Sequence, residues 1–198
     1  MTSFLKPGAV ALSMVLLVAA RDAAGPQLTL QPQSKVWFDG SSTIRKFSCT
    51  ATEVKAVVGA TDANAVAQVL VGTKAVQGVD VTIPVEKLDC GNGTMNEHMR
   101  KAINLPDHPT IAFHVDKYDI ARAGESVNGT LNGTLSLGGK SRPIAVTAEG
   151  TNADGALHVV GSYDLKMTDY DVVPPKLMFG RIKVGESVTV RFDLLLKK

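Results

Sequence analysis

Five side chains, Met95, Met99, Met167, Met178 and Phe179, carry the chemistry this chain is best equipped for. Thioether and aromatic groups adapt to an apolar guest of irregular outline, so that chemistry is the sheltering of hydrocarbon from water. The same residues serve equally as plugs closing off a core, since apolar stripes are usually core. Leu177-Met178-Phe179 follows Pro174-Pro175, whose rings stiffen the backbone, and suits a rim or lid.

Other chemistries find less support. His98, His108, His114 and His158 lack the i, i+4 pairing or Cys/His clustering of metal-ligand sets, so no metal site is expected. His98 and His108 flank a helical stretch and suit structural hydrogen bonds. Gly138-Gly139-Lys140-Ser141 resembles the end of a phosphate-binding loop, but Thr134 stands where that loop needs glycine, and Pro143 follows where it needs a helix. Asn92-Gly93-Thr94, Asn128-Gly129-Thr130 and Asn132-Gly133-Thr134 match a glycosylation acceptor pattern, and turn chemistry explains at least the first two. No Gly-x-Ser-x-Gly elbow occurs, and Asp169 and Asp171 lie in a loop with no element to oppose them. An enzyme reading therefore has no residue to carry it, and no catalytic residue or cofactor is expected.

One helix is expected within Leu88 to Thr110. Thr94 followed by Glu97 is a capping-box pattern, which predicts a helix from Met95 to Ile103 that stops near Asn104, ahead of Pro106. At the helical period Met95, Met99, Ala102 and Ile103 share a face with His98 at its edge, while Glu97, Arg100 and Lys101 point away. So short a helix needs support, and the surrounding sheet is the candidate.

The first residues read as a leader. Lys6, the apolar run Ala9 to Ala20 and the small residues Val18-Ala19-Ala20 describe a secretory signal peptide over residues 1–20, leaving one domain over 21–198. The run is too short for a bilayer span, which takes roughly 20 residues, so no stable membrane insertion is expected. Without Lys6 the formal charge falls from +2 to +1, and nothing here seeks nucleic acid. Two cysteines in an exported chain, Cys49 and Cys90, are most simply one disulfide, with two separate buried thiols as the alternative.

Around the helix the pattern has period two. Val79, Val81, Ile83 and Val85 alternate with polar residues, as do Phe47, Cys49 and Ala51; Ile111, Phe113 and Val115; Leu131, Gly133, Leu135 and Leu137; and Ile144, Val146 and Ala148. Leu157, Val159, Tyr163, Leu165 and Met167 continue the series, and Val188, Val190, Phe192, Leu194 and Leu196 end it. Earlier segments are expected over Leu28 to Asp39 and Thr43 to Val58, while Asp62 to Val71 fits a strand or a helical turn. Gly138-Gly139 and Asp154-Gly155 mark hairpins. Roughly eight strands, each with one dry face, must bury those faces together, as a two-sheet sandwich or as a closed up-and-down barrel.

Several segments together resemble the YceI-like family: Leu88-Asp-Cys-Gly-Asn-Gly-Thr-Met-Asn-Glu-His-Met, His108-Pro-Thr-Ile-Ala-Phe, the Gly133-Thr-Leu-Ser-Leu-Gly-Gly hairpin leading to Pro143-Ile144-Ala-Val, and the closing Val188-Thr-Val-Arg-Phe-Asp. The likeness runs from about residue 35 to the end. It implies an all-β, eight-stranded, lipocalin-like antiparallel barrel, exported to the periplasm, that holds an apolar lipid of polyisoprenoid or quinone type. Phe47, Phe113, Val146, Tyr163, Leu165 and Phe192 are then expected to line the lumen with the methionines and Phe179. The chain departs from the family's common pattern at Cys90, where threonine is usual, and in the segment Met167 to Phe179, which suggests a disulfide-bearing subgroup with a different mouth. The alternative is a structural or stress-related interaction protein whose barrel is filled by its own side chains; a dimer is compatible with either.

Overall fold

The computed structural model describes residues 25–198, and the expected leader lies outside the described residues. In chain order come strands β1 (Gln27–Leu30), β2 (Lys35–Ser41), β3 (Lys46–Ala51) and β4 (Lys55–Ala60), helix α1 (Ala65–Leu70), then β5 (Val76–Pro84) and β6 (Leu88–Asp89). Helix α2 (Gly93–Ile103) precedes four long strands, β7 (Thr110–Ala123), β8 (Ser126–Leu137), β9 (Lys140–Ala153) and β10 (Ala156–Lys166). A short ribbon, β11 (Lys176–Leu177) and β12 (Ile182–Lys183), leads to β13 (Ser187–Lys197).

Eight strands form a closed antiparallel barrel in the order β1, β4, β5, β7, β8, β9, β10, β13. Thr29 pairs with Lys197 and Leu30 with Leu196, so the last strand meets the first and no edge is left in that ring. Along the same side of β13, β2 pairs over Thr189–Asp39 to Asp193–Lys35, and β3 and then β6 extend this part of the wall. The first early segment breaks at residues 31–34, around Pro32, where an interruption is expected, whereas Thr43 to Val58, expected as one segment, is two strands parted at residues 52–54. At the hairpins, Gly138 and Gly139 take φ of 55° and 82°, and Asp154 and Gly155 take 51° and 78°, the left-handed pair that matches the twist of adjoining strands.

One end of the barrel is packed shut, and the other is packed over only part of its width. Asp62 to Val71, ambiguous in sequence, contains α1, whose buried Ala65 and Val69 join Leu28, Val58, Leu157 and Leu196. At the other end Ile103 of α2 packs with Val85, Leu88, Leu137, Tyr170 and Val172. Tyr170 is 2% exposed, and its hydroxyl has no hydrogen-bond partner. Burial is the main cause that pushes its pKa up to about 12. Tyr170→Phe, which keeps the ring and removes the orphaned hydroxyl, should leave the melting temperature unchanged or raise it, whereas Tyr170→Ala should cost about 3–5 kcal/mol by denaturant unfolding.

Helix α2 begins differently from the capping-box expectation. It starts at Gly93, not Met95, and its cap is Asn92, whose side chain accepts the Met95 N–H at 3.0 Å. Asparagine is at least as good a cap as threonine, and φ −152° at Asn92 sets its oxygen over the free amides. The back-reaching role expected of Glu97 falls to Asn96, whose Oδ1 accepts the Cys90 N–H at 2.7 Å and whose Nδ2 donates to Asp89 at 2.8 Å. The helix stops where expected: Asn104 takes φ 61° and its N–H turns back to the carbonyls of Arg100 and Lys101.

Candidate functional site

The dry faces of the strands enclose a lumen of about 590 Å³ that begins at the end packed by α1 and reaches the surface beside the start of α2. Phe47, Phe113, Val146 and Phe192 line it from the wall, as do Tyr163 and Leu165 of β10 and Met167 just beyond. Met95 and Met99 line it from α2. Nine of the eleven residues expected around a ligand therefore meet at one cavity. Met178 and Phe179 do not: they are 64% and 111% exposed.

Three phenylalanines hold their places because glycines face them. Gly40 pairs in register with Phe47 and Gly161 with Phe192, and a Cβ on either glycine would strike the partner's ring. At Gly133 a Cβ would strike the His114 carbonyl and come within 2.9 Å of the Phe113 ring. The absent side chains thus give the rings a seat against the wall, a cross-strand arrangement that leaves the middle of the lumen open.

The wall is aliphatic and aromatic along most of its length. Arg45 is the one formally charged residue in the lining, and Ser42, Asn92, Thr94 and His98 stand at the same end of the barrel. The exposed members of the lining, Ile44, Arg45, Asn92 and Thr94, all belong to the β2–β3 turn and the start of α2. This end is the mouth. Its remaining side is Pro175, Leu177, Ile182 and Val184, fastened to the β2–β3 turn by Thr43 N–H to the Lys183 carbonyl at 3.0 Å and Gly185 N–H to the Ser41 carbonyl at 2.8 Å. Sequence reasoning assigned His98 to structural hydrogen bonds; it lines the mouth, and its place beside Met95 and Met99 at the helical period was the available signal.

A disulfide joins Cys49 of β3 to Cys90, three residues before α2. It ties the helix that covers the mouth to the wall. Cys49 is 1% exposed, so the bond lies in the packed interior. Burial, and secondarily Asp169, raises the Tyr163 pKa. His114 hydrogen-bonds Asp80 at 2.6 Å on the outer wall, away from the cavity. No group of three metal-ligating side chains assembles among the described residues. What this arrangement offers a guest is an apolar-walled space with polar atoms at one rim, suited to a molecule recognised by its apolar body.

Comparison with known proteins agrees with this geometry. The model of the YceI-like domain matches residues 29–196. Burkholderia cenocepacia BcnA superposes with a TM-score of 0.66 at 18% identity, covering 84% of this chain and 99% of its own. A polyisoprenoid-binding domain from Saccharophagus degradans, implicated in plant cell wall breakdown, gives 0.62 at 15% identity, over 86% and 97%. The Campylobacter jejuni YCEI protein gives 0.56 at 16% identity, over 76% and 84%. No curated protein matches the sequence.

Proposed function

The chain belongs to the YceI-like domain family, and from that premise we propose that it is a non-enzymatic binding protein that carries an apolar lipid, of polyisoprenoid or quinone type, in its barrel. The observation that carries the reading is the open lumen itself: about 590 Å³ walled by apolar side chains lies within the usual size of small-molecule pockets, about 300–1,000 Å³. A barrel filled by its own side chains would leave no such space. The polyisoprenoid-binding domain with the same fold supports the choice of lipid class. The leader-like first twenty residues and the disulfide support export to a periplasm, where a cleaved leader would free one domain from residue 21 onward.

Recognition of this kind is diffuse. Burial stabilises a bound chain by roughly 25 cal/mol per Å² before ordering costs, and no single polar contact dominates. Titration of the purified protein with a fluorescent isoprenoid analogue should therefore give saturable one-to-one binding. Phe113→Leu should weaken it by less than about tenfold, since it trims one apolar surface among many. Complete loss of binding with an intact barrel would mean that one residue dictates recognition and would count against this reading.

A further inference from the structure

The mouth carries a surface that holding a ligand does not require. Between β11 and β12 the chain turns through Met178, Phe179 and Gly180, and Phe179 stands 111% exposed with Met178 at 64% beside it. Both residues take left-handed backbone, φ 50° and 55°, a conformation unfavourable for bulky side chains. Leu177 and Ile182, at the base of the same ribbon, line the lumen. Thr43 Oγ1 donates to the Arg181 carbonyl at 3.3 Å, which brings Ile44, 66% exposed, to the same rim. The exposed apolar tip is thus continuous with the lining of the cavity.

Cations surround it. Lys176, Arg181 and Lys183 belong to the ribbon, and Arg45 and Lys46 to the neighbouring hairpin; all five are exposed. None of them forms an ion pair among the described residues. No acidic residue occurs between Val172 and Gly185, or between Gly40 and Thr52. An apolar tip inside a cationic ring complements a bilayer with anionic headgroups: the phenyl and thioether groups enter the headgroup boundary while the cations remain among the phosphates. A protein partner burying Phe179 would call for polar complements to all five cations, whereas an anionic bilayer supplies the charge along its whole surface.

We propose that the mouth of the barrel docks on an anionic phospholipid bilayer through Met178, Phe179 and Ile44, held by Lys176, Arg181, Lys183, Arg45 and Lys46. The lumen then opens towards the acyl region, and an apolar ligand passes between the two without crossing water. That transfer rests on the carrier reading; the docking does not.

Vesicle co-sedimentation tests it, with phosphatidylcholine vesicles prepared with and without phosphatidylglycerol. Partitioning should be at least about tenfold stronger on the anionic vesicles and should weaken as salt rises. The Met178→Ser/Phe179→Ser pair, and separately Lys176→Gln/Arg181→Gln/Lys183→Gln, should each reduce it about tenfold or more without changing the melting temperature, since these side chains are exposed. The triple cation variant should still bind the isoprenoid analogue in vesicle-free solution, so vesicle binding decides the docking and the solution titration decides the carrier reading. Equal partitioning on both vesicles, or wild-type partitioning by both variants, would overturn the proposal. So would a dimer, seen by sedimentation equilibrium, that dissolves when Met178 and Phe179 are replaced, since the surface would then join two copies of the chain.

Discussion

Ala148→Trp should sharply weaken binding of an isoprenoid analogue while the barrel stays folded. Ala148 lines the lumen, and its partners in register are Gly129 on β8 and Gly161 on β10. Three small residues therefore adjoin across three strands. An indole placed there meets no Cβ on either flanking strand, borders the Phe192 ring seated over Gly161 and extends past it into the lumen, taking the space an apolar chain would occupy. Overpacking normally strains a core by about 1–3 kcal/mol, and here the lumen beyond the Phe192 ring receives most of the added volume, which keeps the cost at the low end of that range. The expected result is affinity for an isoprenoid analogue lowered at least about a hundredfold, roughly 2.7 kcal/mol, with an unchanged far-ultraviolet spectrum and a melting temperature near that of the parent. Undiminished affinity in a folded variant would place the ligand elsewhere.

The second large effect concerns stability. Cys49 and Cys90 are 41 residues apart in sequence, and closing a loop of that length contributes on the order of 4 kcal/mol in the chain-entropy account. Cys49→Ala/Cys90→Ala should lower the melting temperature by roughly 10 °C for a domain of this size. The bond also anchors the start of α2, whose Met95 and Met99 line the lumen. Freed from β3, that end of the helix rests on the Asn92 cap and the hydrogen bonds of Asn96 to Cys90 and Asp89. Ligand release should accordingly quicken several-fold in stopped-flow displacement at a temperature where the variant is still folded. An unchanged melting temperature would show that packing alone holds the helix in place.

Much of the barrel was legible because period two is a local property. Val79 to Val85 and Val188 to Leu196 each state which side of the chain is dry, and Gly138-Gly139 and Asp154-Gly155 state where it reverses. Closure was not legible from alternation, because the pairing of Thr29 with Lys197 joins opposite ends of the domain. It came from the family resemblance. The aromatic lining shows the same division. Phe47, Phe113 and Phe192 read as inward-facing, but their seating against Gly40, Gly133 and Gly161 depends on register, which a single strand does not contain.

Local competition explains the helix start. Asn92 and Thr94 both offer a capping oxygen, and the choice was made by the turn through Cys90 and Gly91, where Gly91 takes φ 68° and the disulfide fixes the approach to the helix. Met178 and Phe179 show the limit of reading hydropathy as burial. Their sequence resembles a lid, but only two residues on each side form the ribbon, which is too short to fold its tip back over the lumen. Leu177 and Ile182 face the cavity, and the tip is carried outward.

Native mass spectrometry with organic extraction decides whether the lumen holds a lipid. The full sequence, residues 1–198, is to be expressed in a bacterium and the product purified without detergent. A carrier gains several hundred daltons on a one-disulfide chain, a mass released by extraction as an isoprenoid or quinone-type lipid and restored when the stripped protein is incubated with that lipid. A bare mass that stays bare after incubation with isoprenoid lipids would contradict the carrier reading.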